Sequence, residues 1–335
     1  MAVWSKRQRL EAALRGEPAD RLPAALWRHF PGDDQRAEDQ ARSHIEFAGS
    51  CDFDFVKVTP SSTFCVEDWG GASVYEGNLE GTRVYTRRAL GAPADWGALA
   101  PLDAEAGALG RQLDCLRRLR AAFGDATPFI QTLFNPLTQA RYLAGEAQVL
   151  SDMRRRPADL LAGLRVITER TARFAAAAIR AGAAGVFLAT QLASYRLMGE
   201  EEYRRFGVPF DRQVLDALPA GAWLNVLHLH GDDVMFDLLA DYPVGAINWH
   251  DREAGPALGE ALGRTPATLI GGLRQWETMV RGTPDDVRAE IADAVRQTAG
   301  RRLIIGTGCV TPIVAPQSNL WAARQAVDNY RPSAP

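Results

Sequence analysis

Residues 223–231, Trp223-Leu224-Asn225-Val226-Leu227-His228-Leu229-His230-Gly231, read as a buried strand with a chemically distinct end. Successive side chains of a strand point to opposite faces, so His228 and His230 share one face while Leu227 and Leu229 share the other. Two imidazoles on one face suit a pair of metal ligands. The same pair also fits two histidines at the rim of a core, each satisfying its hydrogen bonds locally. The strand by itself leaves both readings open.

Working outward, apolar runs ending in polar residues recur at 21–29, 53–60, 128–134, 185–191, 244–250, 267–272 and 302–309. Helical spacing fills the intervals, over 6–14, 36–48, 109–123, 138–153, 157–181, 200–218, 283–300 and 317–330. The helix starting at Thr283-Pro284-Asp285-Asp286 has a good N-cap, a proline at its first position and acids near its positive end. Eight strands alternating with helices predict an α/β fold, a (β/α)8 TIM barrel, because parallel strands need crossover helices and closure removes sheet edges. One domain is expected across 1–335. Within it, residues 61–104 carry Trp69-Gly70-Gly71, the alternating Arg83-Val84-Tyr85-Thr86-Arg87 and several turn signals, and are expected to form an inserted lid with a small hairpin after the second strand. No Gly-x-Gly-x-x-Gly follows the first strand and no phosphate-binding Gly-Lys-Ser/Thr loop occurs.

The 38 basic and 41 acidic residues leave a formal charge of −3, which argues against nucleic acid or an anionic membrane as partner and for a small-molecule substrate. Four scattered cysteines with no Cys-x-x-Cys pair make neither a disulfide framework nor a zinc ribbon, so a reducing cytoplasm is expected. The N-terminus lacks the apolar core of a signal peptide. The alanine-rich run at 174–184 is interrupted by Arg180, which marks a core helix and not a membrane span.

A barrel of this kind places its active site at the carboxyl ends of the strands. Those ends here carry His29, Lys57, Gln131, Asn135, Gln191, His228, His230, Asn248, His250 and Cys309, including four of the five histidines. His44 falls in a predicted helix and reads as structural. A catalytic zinc takes three protein ligands and keeps one position for water or substrate, and His228, His230 and Cys309 would make such a set. His250, on the same strand face as Asn248, is the spare candidate.

The segments Ala140-Arg-Tyr-Leu-Ala-Gly-Glu146, Leu227-His-Leu-His-Gly231, Gly271-Gly-Leu273, Gly282-Thr-Pro-Asp-Asp-Val-Arg288, Ile305-Gly-Thr-Gly-Cys-Val-Thr-Pro312 and Pro316-Gln-Ser-Asn-Leu320 resemble the uroporphyrinogen decarboxylase superfamily. Within it the chain is most similar to the zinc-dependent methylcobalamin:thiol (coenzyme M) methyltransferase branch. The resemblance implies a barrel, a cytoplasmic enzyme, Zn2+ as cofactor, a corrinoid as methyl donor or acceptor, and a homodimer as is frequent in the decarboxylase branch. The methyltransferase branch has a His-x-Cys strand end and a cysteine after strand eight, all on zinc. His228 matches the first and Cys309 the last, while His230 stands in place of the middle cysteine. A neutral imidazole for a thiolate makes the centre one unit more positive, which weakens the charge push on a substrate thiolate and makes bound water more acidic. That departure brings demethylation or hydrolysis into view beside thiol methylation. The decarboxylase signature Arg-Gln-Ala-Gly-Arg corresponds to Leu26-Trp-Arg-His-Phe30, where Arg28 alone could clamp a carboxylate.

The expected function is therefore a zinc-dependent methyl (alkyl) transferase or demethylase acting between a small substrate, a thiol and a corrinoid carried by a partner protein. His228, His230 and Cys309 hold the metal, and His250 and His29 act as acid/base or orienting groups. Arg28, Lys57, Gln191, Asn248 and Trp69 bind substrate. The alternatives are a decarboxylase-like lyase holding a small carboxylate on Arg28 and Lys57, and a non-catalytic module that binds a corrinoid partner.

Overall fold

The computed structural model describes residues 4–91 and 94–330; residues 1–3, 92–93 of the expected lid, and 331–335 lie outside the described residues. Among the described residues the strands are β1 (Val56–Val58), β2 (Ala72–Val74), β3 (Val84–Arg87), β4 (Phe129–Phe134), β5 (Gly185–Thr190), β6 (Val226–Leu229), β7 (Ala246–Trp249), β8 (Thr268–Leu273) and β9 (Leu303–Thr307). Seven of them form one parallel sheet in the order β1-β4-β5-β6-β7-β8-β9. Helices connect most of its strands, and one continuous apolar core fills the space between the layers.

The expected first strand takes a different form. Residues 21–29 run extended through the gap between β9 and β1, with a single bridge, Ala24 to Ile305. On one side Ala25 N donates to Ile305 O and Ile305 N to Pro23 O, each at 2.9 Å; on the other, Asp54 N donates to Ala24 O at 2.9 Å. The segment thus closes the seven strands into a ring. Pro23 has no N–H to offer, which limits how far a regular ladder extends there.

Two expected helices are each divided in two. The run at 138–153 becomes Pro136–Ala144 and Glu146–Arg155, broken at Gly145 with φ +92°. The run at 200–218 becomes Glu200–Phe206 and Val208–Asp216, broken at Gly207 just before Pro209. The helix Pro284–Thr298 starts as expected, with Thr283 and Asp286 capping each other reciprocally.

The amino end of the barrel is sealed by charge. Asp54, fully buried, accepts from Arg9 Nη1 at 2.7 Å, from Arg21 Nη1 and Nη2 at 2.7 and 3.0 Å, and from Ala24 N at 2.8 Å. At the other end the 61–104 segment forms the antiparallel β2–β3 hairpin. It is pinned by the buried Arg83–Asp34 ion pair at 2.6 Å and by Ile313 N donating to Leu79 O. Gly81, at φ +81°, lies so close over the first segment that a Cβ there would meet His29 Cβ at 2.7 Å. None of the helices among the described residues is long and apolar enough to cross a membrane.

Candidate metal centre

His228 sits in β6 opposite Asn248 of β7. Both Asn248 amide hydrogens are committed, to Ile270 O at 2.9 Å and to Thr307 O at 3.0 Å, so its oxygen is left as acceptor. That oxygen lies 2.7 Å from His228 Nδ1. The network therefore assigns the proton to Nδ1 and leaves Nε2 with a free lone pair. The ring is held by stacking on Phe187, centroids 5.1 Å apart, and by burial with 3% exposure. This is how metal-binding histidines are oriented, with the second nitrogen anchored to a fixed acceptor.

His230 extends the ladder one residue past β6, its N–H donating to Thr190 O at 3.0 Å. Cys309 follows β9 and brings Sγ to 3.6 Å from His230 Nδ1. The chain reaches that position because residue 308 is glycine: a Cβ there would come within 2.7 Å of His250 Cα. One donor atom from each of His228, His230 and Cys309 lies within 4.8 Å of the others, so the three could hold one metal ion. Burial pushes the Cys309 thiol up, but the imidazoles of His228, His230 and His250 around the sulfur outweigh it and hold the thiol well below its usual value. Burial opposes protonation of His250 as well, yet contact with Cys309 leaves its pKa raised. The His250 ring lies 5.8 Å from that of His230, beside the sulfur and away from the cavity wall.

These ligands form one side of a cavity of about 300 Å3 at the barrel mouth. His29, Lys57 and Gln191 also line it. Burial, with Lys57 nearby, drives the His29 pKa to about 3, so the ring is neutral, and its Nδ1 has no partner. Lys57 is buried and its pKa is lowered to about 8 by desolvation. Gln191 Oε1 accepts from Tyr142 OH at 2.8 Å and from Arg141 Nη1 at 3.1 Å.

Three expected substrate contacts stand elsewhere. Arg28 is turned out of the barrel, its guanidinium packed 4.8 Å over Phe47 and 5.3 Å over Phe30. Its neighbours Trp27 and His29 face inward, and a strand cannot send consecutive side chains the same way. Trp69 donates to Ala100 O at 3.0 Å and carries Arg170 over its ring, away from the cavity. Asn248 is spent on His228 and two carbonyls. Gln131 and Asn135, also at strand ends, are consumed by Gln112 and by Tyr203 with Asp211. His44 is a satisfied core histidine, accepting from Thr59 N at 2.9 Å and donating to Gln40 O at 2.8 Å.

The cavity's aromatic lining was missed from sequence: Trp27, Phe187, Phe134, Tyr142 and, from the β2–β3 hairpin, Tyr85. For Phe187 the signal was available, since it alternates with Leu188 along an inward-facing strand. For Tyr85 it was not.

Comparison with known proteins finds relatives along the whole chain. The chain is 23% identical over 99% of its length, and all of the relative's, to the Methanosarcina mazei protein named methylcobamide:CoM methyltransferase MtbA. Its fold superposes on a methyltransferase from Methanosarcina mazei with a TM-score of 0.85 at 20% identity, covering 97% of this chain and 99% of the other. It also superposes on a B12-independent methionine synthase from a Shewanella species with a TM-score of 0.58 at 12% identity, covering 91% and 92%. Residues 5–330 match the uroporphyrinogen decarboxylase family from end to end, and the chain belongs to that family.

Proposed function

We propose that this chain is a zinc-dependent methyltransferase that moves a methyl group between a small sulfur-bearing substrate and a corrinoid carried by a partner protein. The observation that carries this reading is the donor set of His228, His230 and Cys309. Zinc bonds of about 2.3 Å to sulfur and 2.0–2.1 Å to nitrogen, at a tetrahedral angle, separate two such donors by about 3.5 Å. The Cys309 Sγ to His230 Nδ1 distance is 3.6 Å, so these residues fit the ion. Zinc held there would lower the pKa of a bound thiol and orient its sulfur without redox chemistry.

The chain's own residues do the rest. Asn248 fixes the His228 tautomer, so a lone pair and not an N–H faces the centre. The lid strand β3 and the aromatic walls exclude water from the reacting sulfur. His29 offers a neutral ring nitrogen, and Gln191, held by Tyr142 and Arg141, offers its amide N–H groups. In the methylating direction a new S–CH3 bond forms as the methyl–cobalt bond breaks, its electron pair staying on the corrinoid. The relatives' names supply the methylcobamide and thiol; the donor set and the fold support carrying them over. The four cysteines, all unpaired, suit a reducing cytoplasm. Of the two residues expected to clamp a carboxylate in the lyase reading, Lys57 lines the cavity and Arg28 faces away from it.

Metal content by mass spectrometry tests the proposal on protein purified without added metal, comparing the parent with His228→Ala, His230→Ala and Cys309→Ser. About one zinc per chain is expected in the parent, with its loss in every variant. Methyl transfer should fall on the order of 10³-fold, as removal of several kcal/mol of Lewis-acid stabilisation requires. A parent that holds no metal even after reconstitution with zinc would sink the mechanism.

A further inference from the structure

A sulfur atom at the metal ligands accounts for only one side of the cavity. At about 300 Å3 the space reaches the lower end of the range for sizeable organic ligands, and a short aliphatic thiol leaves much of it empty. The remaining wall is aromatic. Tyr85 and Tyr142 lie 5.5 Å apart and Tyr142 meets Phe134 edge-on at 5.0 Å. On the same lining Trp27 and Phe187 meet edge-on at 5.3 Å.

Against Trp27 and Phe187 lies a cation without a salt bridge, and the Cys309 sulfur is the group whose charge favours it. Lys57 is 5% exposed, and among the described residues its ammonium makes one hydrogen bond, to Thr59 Oγ1 at 3.3 Å, and no ion pair. It rests 4.8 Å from the Phe187 ring centroid and 5.9 Å from that of Trp27. Ring faces recover only part of what a buried charge loses on leaving water. Two other charges on the wall are already matched, Arg83 by Asp34 and Arg141 by Glu146. Glu80 is held by Gln275 and Trp276. Tyr85 lends this wall its ring and not its hydroxyl, which is buried without a partner.

We propose that the sulfur-bearing substrate is an aromatic anion, its ring packed against the aromatic residues of the cavity and its carboxylate or sulfonate held by Lys57. The inference rests on the methyl-transfer reading for the sulfur end alone. The anion subsite stands on Lys57, which is not one of the three metal-ligand candidates. It would make Lys57 and Tyr85 the specificity-determining residues of this cavity.

Calorimetric titration of the zinc-loaded protein tests it with five probes: 3- and 4-mercaptobenzoate, thiophenol, 3-mercaptopropionate and benzoate. The better mercaptobenzoate should bind at least about tenfold tighter than thiophenol and than mercaptopropionate, the margin expected of one charge-assisted contact or one buried ring. Lys57→Met, with Lys57→Gln as a second variant in case the first does not fold, should remove the preference over thiophenol and leave zinc content and thiophenol affinity unchanged. Tyr85→Ala should reduce the preference over mercaptopropionate. Equal affinities in the parent, or a preference that survives both Lys57 variants, would overturn the proposal. If mercaptopropionate binds as well as mercaptobenzoate, the aromatic substrate is wrong and the thiol reading stands. If benzoate binds through Lys57 and the added sulfur gains nothing, the anion subsite stands and the thiol reading falls. If none of the probes binds, both fall.

Discussion

Asp54 and Lys57 lie three residues apart on one course through the barrel, and its two ends treat them in opposite ways. Asp54, at the amino end, is fully buried and saturated by two guanidinium groups and a backbone N–H. Lys57, at the carboxyl end, is buried nearly as deeply and has a single long hydrogen bond to a hydroxyl. A charge satisfied on every side has no capacity left for a ligand; its role is to hold the fold. A charge left unsatisfied in a cavity lowers stability and keeps binding capacity in reserve. Orphaned Tyr85 OH and His29 Nδ1 belong to the same end as Lys57. The barrel thus separates stability from binding along its axis.

The sharpest way to break this contrast is Asp54→Ala. It takes the buried anion from Arg21 and from one arm of Arg9, although Arg9 keeps Asp20 at 2.7 Å and Arg21 keeps the half-exposed Asp328 at 3.2 Å. Removing one partner of a buried ion network should cost about 3–5 kcal/mol, read as a drop in the urea midpoint at unchanged slope. The folded fraction should bind zinc with the parent's stoichiometry. An unchanged midpoint would mean that the amino end is not where stability is concentrated.

Asp211 provides an intermediate case, a fully buried carboxylate whose partners are all neutral. It accepts from Asn135 Nδ2 at 2.8 Å, Tyr203 OH at 2.8 Å and Tyr242 OH at 3.0 Å. Desolvation outweighs those bonds and raises its pKa to about 6. With the folded value above the unfolded one, its contribution to stability is full below about pH 4 and is lost as pH rises through about 6. Asp211→Asn cannot accept from all three donors and should cost about 1–3 kcal/mol. Thermal melts at pH 5 and pH 7.5 should show a larger gap between parent and variant at the lower pH. A gap that widens toward pH 7.5 would reverse the assigned sign.

At the carboxyl end the corresponding test is Asn248→Ala, which frees the His228 ring and its tautomer. Loss of such an anchoring partner is expected to weaken metal binding 10–100-fold, measured by competition with a chelator. Asn248→Asp keeps the acceptor for His228 Nδ1 and loses the donors to Ile270 and Thr307, so it should fall between the two. An affinity indifferent to both changes would make Asn248 a packing residue only.

Much of this arrangement was legible in the sequence, for physical reasons that also explain the rest. Apolar runs ending in polar residues located the seven parallel strands to within a few positions, because a barrel strand is buried throughout and exposed only at its tip. His228, His230 and Cys309 could be grouped because donor type and strand-end position are both local properties. Arg28 was misplaced although period-two alternation, applied to Trp27 and His29, turns it outward. The role of Asn248 was beyond reach, since its meeting with His228 depends on the β6–β7 register. Trp69 and Tyr85 were exchanged in importance because the hairpin's direction is set at long range, by Arg83 on Asp34 and by a register shift between Ala72 and Ser73. The helix breaks at Gly145 and Gly207 lay inside periodic patterns that masked them.

The smallest expected effect is the most discriminating. Lys57→Met removes a buried charge and puts an apolar chain of similar length against Trp27 and Phe187. If Lys57 were part of the fold's support, as Asp54 is, the variant would lose several kcal/mol, as broken buried ion networks do. The ammonium instead has no salt bridge to break among the described residues, and its hydrogen bond to Thr59 is at the long end of the range. The lost cation–π contacts are worth about 0.5–2 kcal/mol, set against relief of a desolvation penalty of similar or larger size. The net change should therefore lie within about 1 kcal/mol of zero, with the urea midpoint unchanged or raised. Addition of benzoate at saturating concentration should then stabilise the parent and leave the variant where it was, because only the parent can bind the anion in its folded state. A large destabilisation without ligand would place Lys57 with Asp54 among the groups that hold the barrel together, and the division between its two ends would dissolve.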